Sequence, residues 1–266
     1  MSKMKLALVM FFLVTGLIVG GFPAALAQEA EEEEKAVFIL DEIVVTAQRR
    51  EQDVQDVPIS MTAISGNALA SYRIEQSTQL ASMVPNLNII RTYGEHVAPV
   101  ITVRGVNTQG WSFGDPAATA IYADDVVLNN QWSHGFALFD LDRVEVLRGP
   151  QGTLFGRNST AGAVHFVSSG PGEELNGYAQ LTLAKFQKRR VEAAVGGPVS
   201  DKFGLRIAGV YEKADGFRES IFDHSPVDPV DYTAIRATLD FKPTDDLDIR
   251  FKGQYGRSDM DQPERR

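Results

Sequence analysis

One serine stands in the pattern that makes a nucleophile. Gly110-Trp111-Ser112-Phe113-Gly114 fits G-x-S-x-G, and Asp115, His134 and His165 lie downstream. Such a serine works when a strand delivers it to a sharp turn and a helix follows at once. Here a strand candidate at 100–103 precedes it, but a loop intervenes, and Asp115-Pro116 opens only a short run that soon turns. A secreted serine hydrolase using Ser112 is therefore an alternative, not the leading reading. Residues 149–159 imitate a phosphate loop, but Gly152 and Gly156 enclose three residues rather than four, and Arg157-Asn158 follows where Lys-Ser/Thr is needed. Nucleotide binding is rejected. His96, His134, His165 and His224 show no metal-ligand spacing. Asp124-Asp125 reads as a turn before it reads as a cation site. With no cysteine there is no disulfide, thiolate metal site or cysteine nucleophile. A net charge of -9 argues against nucleic acid as a partner. No catalytic residue, metal or cofactor is expected.

The elements around these residues say more. At residues 141–167 two β-rich runs, 143–147 and 163–167, flank a middle punctuated by Gly149, Pro150, Gly152, Gly156 and Gly162. Glycine at this density marks bends or close backbone approaches. Upstream, residues 54–171 read as one α/β unit. It has a strand at 57–64, a weak helical turn at 65–71, and a short helix capped by Ser77-Thr78 and ended by Pro85. A strand follows at 100–103, then a hairpin of 120–122 and 126–128 around an acidic turn.

The N-terminus reads as an export signal, residues 1–27. Lys3 and Lys5 give a positive start, residues 6–22 an apolar core, and Ala25-Leu26-Ala27 a small-x-small cleavage site. Residues 28–53 form an acidic leader carrying β-prone runs at 37–40 and 42–47. A β-branched segment on a flexible leader suits strand addition to a partner's sheet edge. An ordinary edge strand of the next unit explains it equally well.

Beyond residue 172 the apolar period becomes two. Ala179, Leu181 and Leu183 oppose Gln180 and Thr182. Val191, Ala193 and Val195 oppose Arg190 and Glu192, and Leu205, Ile207, Gly209 and Tyr211 oppose Arg206 and Glu212. Ile235, Ala237, Leu239 and Phe241 oppose Arg236, Thr238, Asp240 and Lys242. Leu247, Ile249, Phe251 and Tyr255 oppose Asp248, Arg250, Lys252 and Gln254. Short turns at 197–202 and 243–246 alternate with a long polar loop at 214–230, as in a membrane β-barrel with lipid on one face and a lumen on the other.

In this order the parts resemble the TonB-dependent outer-membrane receptors. Glu42-Ile43-Val44-Val45-Thr46-Ala47 looks like their TonB box. Pro85-Asn86-Leu87, Ile101-Thr102-Val103-Arg104-Gly105 and the run Val144-Glu145-Val146-Leu147-Arg148-Gly149-Pro150-Gln151-Gly152 look like plug motifs. Leu154-Phe155-Gly156-Arg157 and Thr160-Ala161-Gly162-Ala163-Val164 continue the match.

The resemblance implies an α/β plug at 54–171 followed, at 172–266, by antiparallel transmembrane strands that begin a barrel of about 22. It implies strand pairing of residues 42–47 with periplasmic TonB and residence among Gram-negative outer-membrane lipid. It also implies uptake of a scarce solute, most often a ferric siderophore. It casts Arg104 and Arg148 as partners of buried barrel carboxylates. Tyr93, Trp111, Phe113 and Trp132 become ligand contacts on outward loops. Five strand signals are a fraction of such a barrel, so a truncated chain is expected, and 28–41 is too short for an extra signalling domain. A TonB-independent porin-like channel is the second alternative, but it would not need a globular plug.

Overall fold

A computed structural model of the protein describes residues 44–45, 52–90, 99–107, 117–129, 133–216, 218–219, 226–227, 229–244 and 246–258. All belong to one compact unit spanning Glu42–Arg266. Two sheets carry it. The first has the order Met61–Ser65, Leu141–Arg148, Gly162–Ser168, Thr119–Ala123, Val126–Val127, and the second is an open five-stranded meander.

Chain order begins with two-residue strands β1 (Val44–Val45) and β2 (Gln52–Asp53), paired antiparallel. The strand expected at 57–64 starts later, as β3 (Met61–Ser65). Pro58 has no N–H to give to a ladder, and the backbone around it closes a tight turn, Ile59 N donating to Val57 O at 2.8 Å. The expected helical turn is α1 (Gly66–Ser71), whose N-terminus is capped by Ser65 Oγ accepting from Ala68 N. The next helix, Ser77–Ser82, is 3-10 rather than α. Its cap is Gln76, not Ser77 or Thr78: Gln79 Oε1 reaches back to Gln76 N at 3.0 Å. Ser77 Oγ is occupied elsewhere, donating to His134 O.

Strands β4 (Leu87–Ile90) and β5 (Val100–Val103) pair as a hairpin. β6 (Thr119–Ala123) and β7 (Val126–Val127) form the acidic-turn hairpin. Asp124 and Asp125, at φ 47° and 66°, take the left-handed conformations that a two-residue I′ turn demands. The glycine-punctuated stretch is β8 (Leu141–Arg148), the single turn α2 (Gly152–Phe155) and β9 (Gly162–Ser168). β8 and β9 are antiparallel, whereas β6 and β9 are parallel. At Gly162 a Cβ would stand 2.2 Å from Leu147 O, so only glycine lets β8 and β9 approach there. Alternation splits the core in two. Val144, Val146, Val164 and Phe166 pack one face with Leu80 and Leu87. Leu147, Ala163, Ala120 and Tyr122 pack the other with Phe155.

The second sheet runs β10 (Asn176–Leu183), β11 (Arg189–Ser200), β12 (Phe203–Ala214), β15 (Val230–Thr244) and β16 (Leu247–Ser258), each antiparallel to the next. Within the expected long loop lies a small hairpin, β13 (Arg218–Glu219) and β14 (Pro226–Val227). The alternating faces fall as the period-two pattern requires. Ile207, Ile235 and Phe251 are exposed, whereas Arg206, Ala208, Val210, Glu212, Ala234 and Arg236 are buried. Phe203 and Phe241 are cross-strand partners next to the short turns and stack at 4.5 Å between ring centroids. Such an aromatic pair suits the interface between lipid and water.

Candidate functional site

What buries the inward face of the second sheet is the first unit. Small residues Ala194, Ala208 and Ala234 leave room for Ala137 and Phe139, which pack against them with Val210 and Tyr232. Around this apolar patch, arginines on three strands grip three consecutive residues, 138–140. Arg190 on β11 donates to Leu138 O at 2.6 Å. Arg236 on β15 donates to Phe139 O at 2.6 Å and Asp140 O at 3.0 Å, and its guanidinium lies 4.4 Å from the centroid of the Phe139 ring. Arg206 on β12 holds the Asp140 carboxylate, with Nε at 2.9 Å from Oδ2 and Nη2 at 2.5 Å from Oδ1. Glu192 Oε1 accepts from Asp140 N at 3.1 Å. The segment lies outside any strand: Leu138 N donates to Glu75 O at 2.8 Å and Asp140 O accepts from Ser169 N at 3.0 Å, and side chains of the second sheet satisfy other backbone groups.

Two further contacts flank the grip. Lys188 reaches Glu75 at 2.5 Å and Glu212 at 3.2 Å, and Glu212 also pairs with Arg190 at 2.7 Å. On the other side Lys252 of β16 meets Asp124 at 2.7 Å and also donates to Ser168 Oγ. Burial on its own would raise the Asp124 pKa. The Lys252 ammonium and the Ser168 backbone and hydroxyl donors outweigh it, holding the carboxyl below its ordinary value. Asp124-Asp125 is thus a turn, and its first carboxylate is an ion-pair partner of the wall.

The N-terminal strand sits differently. Val45 is fully buried, against Val57, Tyr122, Leu147 and Phe155. Among the described residues its strand is held by two ladder pairs, Val44 with Asp53 and Val45 with Gln52.

The residues singled out from sequence are dispersed. Glu42, Ile43, Thr46, Ala47, Tyr93, Trp111, Ser112, Phe113 and Trp132 lie outside the described residues, as do the export signal and the 37–40 run. Arg104 follows β5 at φ 51° and is exposed, its guanidinium 3.2 Å from where a Cβ on Gly149 would stand. Arg148 gives Nη2 to Met61 O at 2.9 Å and Nη1 to Pro85 O at 3.3 Å. Its Nε is buried with no hydrogen-bond partner among the described residues. Among those residues neither arginine meets a carboxylate.

Of the histidines downstream of Ser112, His134 and His165 are each engaged locally, and His224 lies outside the described residues. His134 Nε2 donates to Leu128 O at 2.7 Å, and burial pushes its pKa below the ordinary value although that carbonyl raises it. His165 Nε2 accepts from Asp125 N at 3.3 Å. Glu145, fully buried beside His165, accepts from Arg143 Nε at 2.8 Å.

Sequence reading missed Glu75, Lys188 and Asp140. It had Arg190, Arg206, Arg236 and Lys252 as inward positions without giving them a partner. The available signal was cations on the polar side of strands β11 to β16, which need anions or carbonyls once enclosed.

Known proteins are similar to this chain in sequence and fold. The TonB-dependent Receptor Plug Domain family matches residues 53–163. The pesticin receptor of Yersinia pestis is 30% identical over 189 residues, covering 70% of this chain and 27% of that receptor. Among solved structures, the ferric yersiniabactin uptake receptor FyuA from Yersinia pestis superposes with a TM-score of 0.68 at 24% identity, covering 74% of this chain and 31% of that one. The pyoverdine outer membrane receptor FpvA from Pseudomonas aeruginosa does so with 0.68 at 16% identity, over 81% of this chain and 30% of that one. At these identities the two structures establish the fold. The chain spans less than a third of each relative's length.

Proposed function

Because the chain belongs to the TonB-dependent receptor family, matching the N-terminal part of its members, we propose that it serves energised uptake of a scarce solute across a Gram-negative outer membrane. Residues 1–27 are its export signal, 28–53 its leader with the TonB box, 54–171 its plug and 172–266 the first strands of its wall. The observation that carries this reading is a sheet with two opposite faces. One is apolar and open, and the other grips a globular unit through Arg190, Arg206, Arg236 and Lys252. A soluble sandwich would bury the apolar face instead. The solute is a ferric siderophore complex. That choice draws on relatives described as a ferric yersiniabactin uptake receptor and a pyoverdine outer membrane receptor. No residue acts as a catalyst.

The proposed sequence of events starts with ligand on the outer face, contacted by Tyr93, Trp111, Phe113 and Trp132. The box, Glu42 to Ala47, then comes free and adds as a strand to TonB, and the pull displaces the plug. Burial of Val45 supports this order, since a strand docked on the plug must leave it before pairing elsewhere. Arg104 and Arg148 take carboxylate partners across the lumen. The unpartnered Nε of Arg148 supports this role. Val44→Pro tests the reading in a receptor carrying this chain. Proline cannot donate to a ladder, so energised uptake of a labelled ferric siderophore should be abolished with binding to cells unchanged. Undiminished uptake would remove the box assignment.

A further inference from the structure

Asp140 is a non-glycine residue at φ 48°, buried, with its carboxylate, carbonyl and N–H each held by a different strand of the wall. A backbone in that region is strained and persists only where its surroundings over-determine it. Beside it, between α1 and strands β10 to β12, lies a cavity of about 590 Å³ with a mixed lining. Asn67, Leu69, Tyr178, Gln180, Arg190 and Asp140 itself line it. Tyr178 donates to Glu192 Oε1 at 2.6 Å, so the cavity floor and the Asp140 cluster are one network.

We propose that Asp140 is the latch residue of the plug. Its charge, met by Arg206 and reinforced by Arg236, fixes residues 138–140 to the wall beside this cavity. This rests on the reading of 172–266 as a membrane wall. Residues 138–140 belong to no strand; besides Leu138 N to Glu75 O and Ser169 N to Asp140 O, guanidinium groups of the wall meet their three carbonyls. Removing one side of a buried pair leaves the other charged and unsatisfied, which is worth more than the loss of the bond itself. Asp140→Asn leaves Arg206 unpaired apart from Asn176 Oδ1 at 2.8 Å. The plug then detaches along the β11 to β15 line, while its own core, built from other residues, stays folded.

The native chain has no cysteine, so two can be introduced cleanly. Tyr72→Cys at the end of α1 and Phe186→Cys in the β10–β11 turn are both at exposed positions. Nitroxide labels there, in the full 266-residue chain reconstituted in phospholipid vesicles, report the plug–wall distance. A single narrow distribution is expected for the parent chain. Asp140→Asn and, from the wall side, Arg206→Met should each widen it at least about twofold, as expected for a buried pair left half-made. Arg206→Met lies outside the plug, so plug misfolding cannot account for its effect. The double variant Asp140→Asn with Arg206→Gln, a neutral amide pair, should restore most of the narrowness. A broad distribution in the parent chain, or a narrow one in both single variants, overturns the latch. Flotation of the same vesicles is read separately: chain that stays with the aqueous phase sinks the membrane reading itself.

Discussion

The plug has two seams, and they are built from opposite materials. Toward the wall it is held by directional charge: Asp140, Asp124 and Glu75 meet Arg206, Lys252 and Lys188, and three carbonyls meet Arg190 and Arg236. Toward its own N-terminus, among the described residues, it is held by one buried valine and two ladder pairs. The first seam is expensive to break halfway, since each lost partner strands a buried charge. The second yields to a modest pull, because extracting one valine costs about 1.5–3 kcal/mol. Under the proposed function, a pull applied at residues 42–47 should free Val44–Val45 before it moves the plug.

The largest expected effect attacks the first seam. Arg190→Met leaves Glu212 and Glu192 without their shared guanidinium and Leu138 O without its donor. It should cost about 3–5 kcal/mol of plug docking, seen as a fall in the urea midpoint of plug release from vesicle-embedded chain. A loss below about 1 kcal/mol would equalise the seams and remove the contrast. Gly162→Ala is next and spares both seams. Its Cβ would meet Leu147 O, so β8 and β9 must part, costing about 1–3 kcal/mol of plug stability, readable by circular dichroism during thermal unfolding. Val45→Ala attacks the second seam and removes two methyl groups at about 0.8 kcal/mol each. Hydrogen exchange should quicken at Val44–Val45 and Gln52–Asp53 alone. If it quickens across the plug, the N-terminal strand is no separate seam.

The smallest effect is a pH dependence. The folded pKa of Asp124 lies below its ordinary value of 3.8. Its pairing with Lys252 is therefore fully present above that value and is lost as pH falls through the depressed one. Docking measured between pH 5 and 2 should weaken only at the acid end, and Asp124→Asn should flatten that limb.

Much of this was legible because period-two alternation is a strong constraint. Once Leu205, Ile207 and Tyr211 share a face, Arg206 and Glu212 must share the other. The acidic turn at Asp124-Asp125 was legible because short polar side chains there have few other uses, whereas the helical turn at 65–71 was read without its Ser65 cap. The parallel pairing of β6 with β9 was not, since it joins residues 119–123 to 162–166 across intervening elements and leaves no local mark. Nor was Asp140. A lone aspartate before a strand looks like a turn residue, and its three wall partners lie 52 or more residues away in sequence. The helix at Ser77–Ser82 took its cap from a glutamine pair because Ser77 is spent on His134 O, a contact 57 residues away.

The claim on which the rest depends is that the five-stranded sheet faces lipid on one side and the plug on the other. Single cysteines at adjacent positions of β12, Ile207→Cys and Ala208→Cys, test it directly in vesicle-reconstituted chain bearing an environment-sensitive dye. The predicted result is strong quenching by brominated lipid at 207 and little at 208, with the reverse order for a water-soluble quencher once the plug is released by urea. Equal quenching by lipid at the two positions, or none at either, would contradict the account.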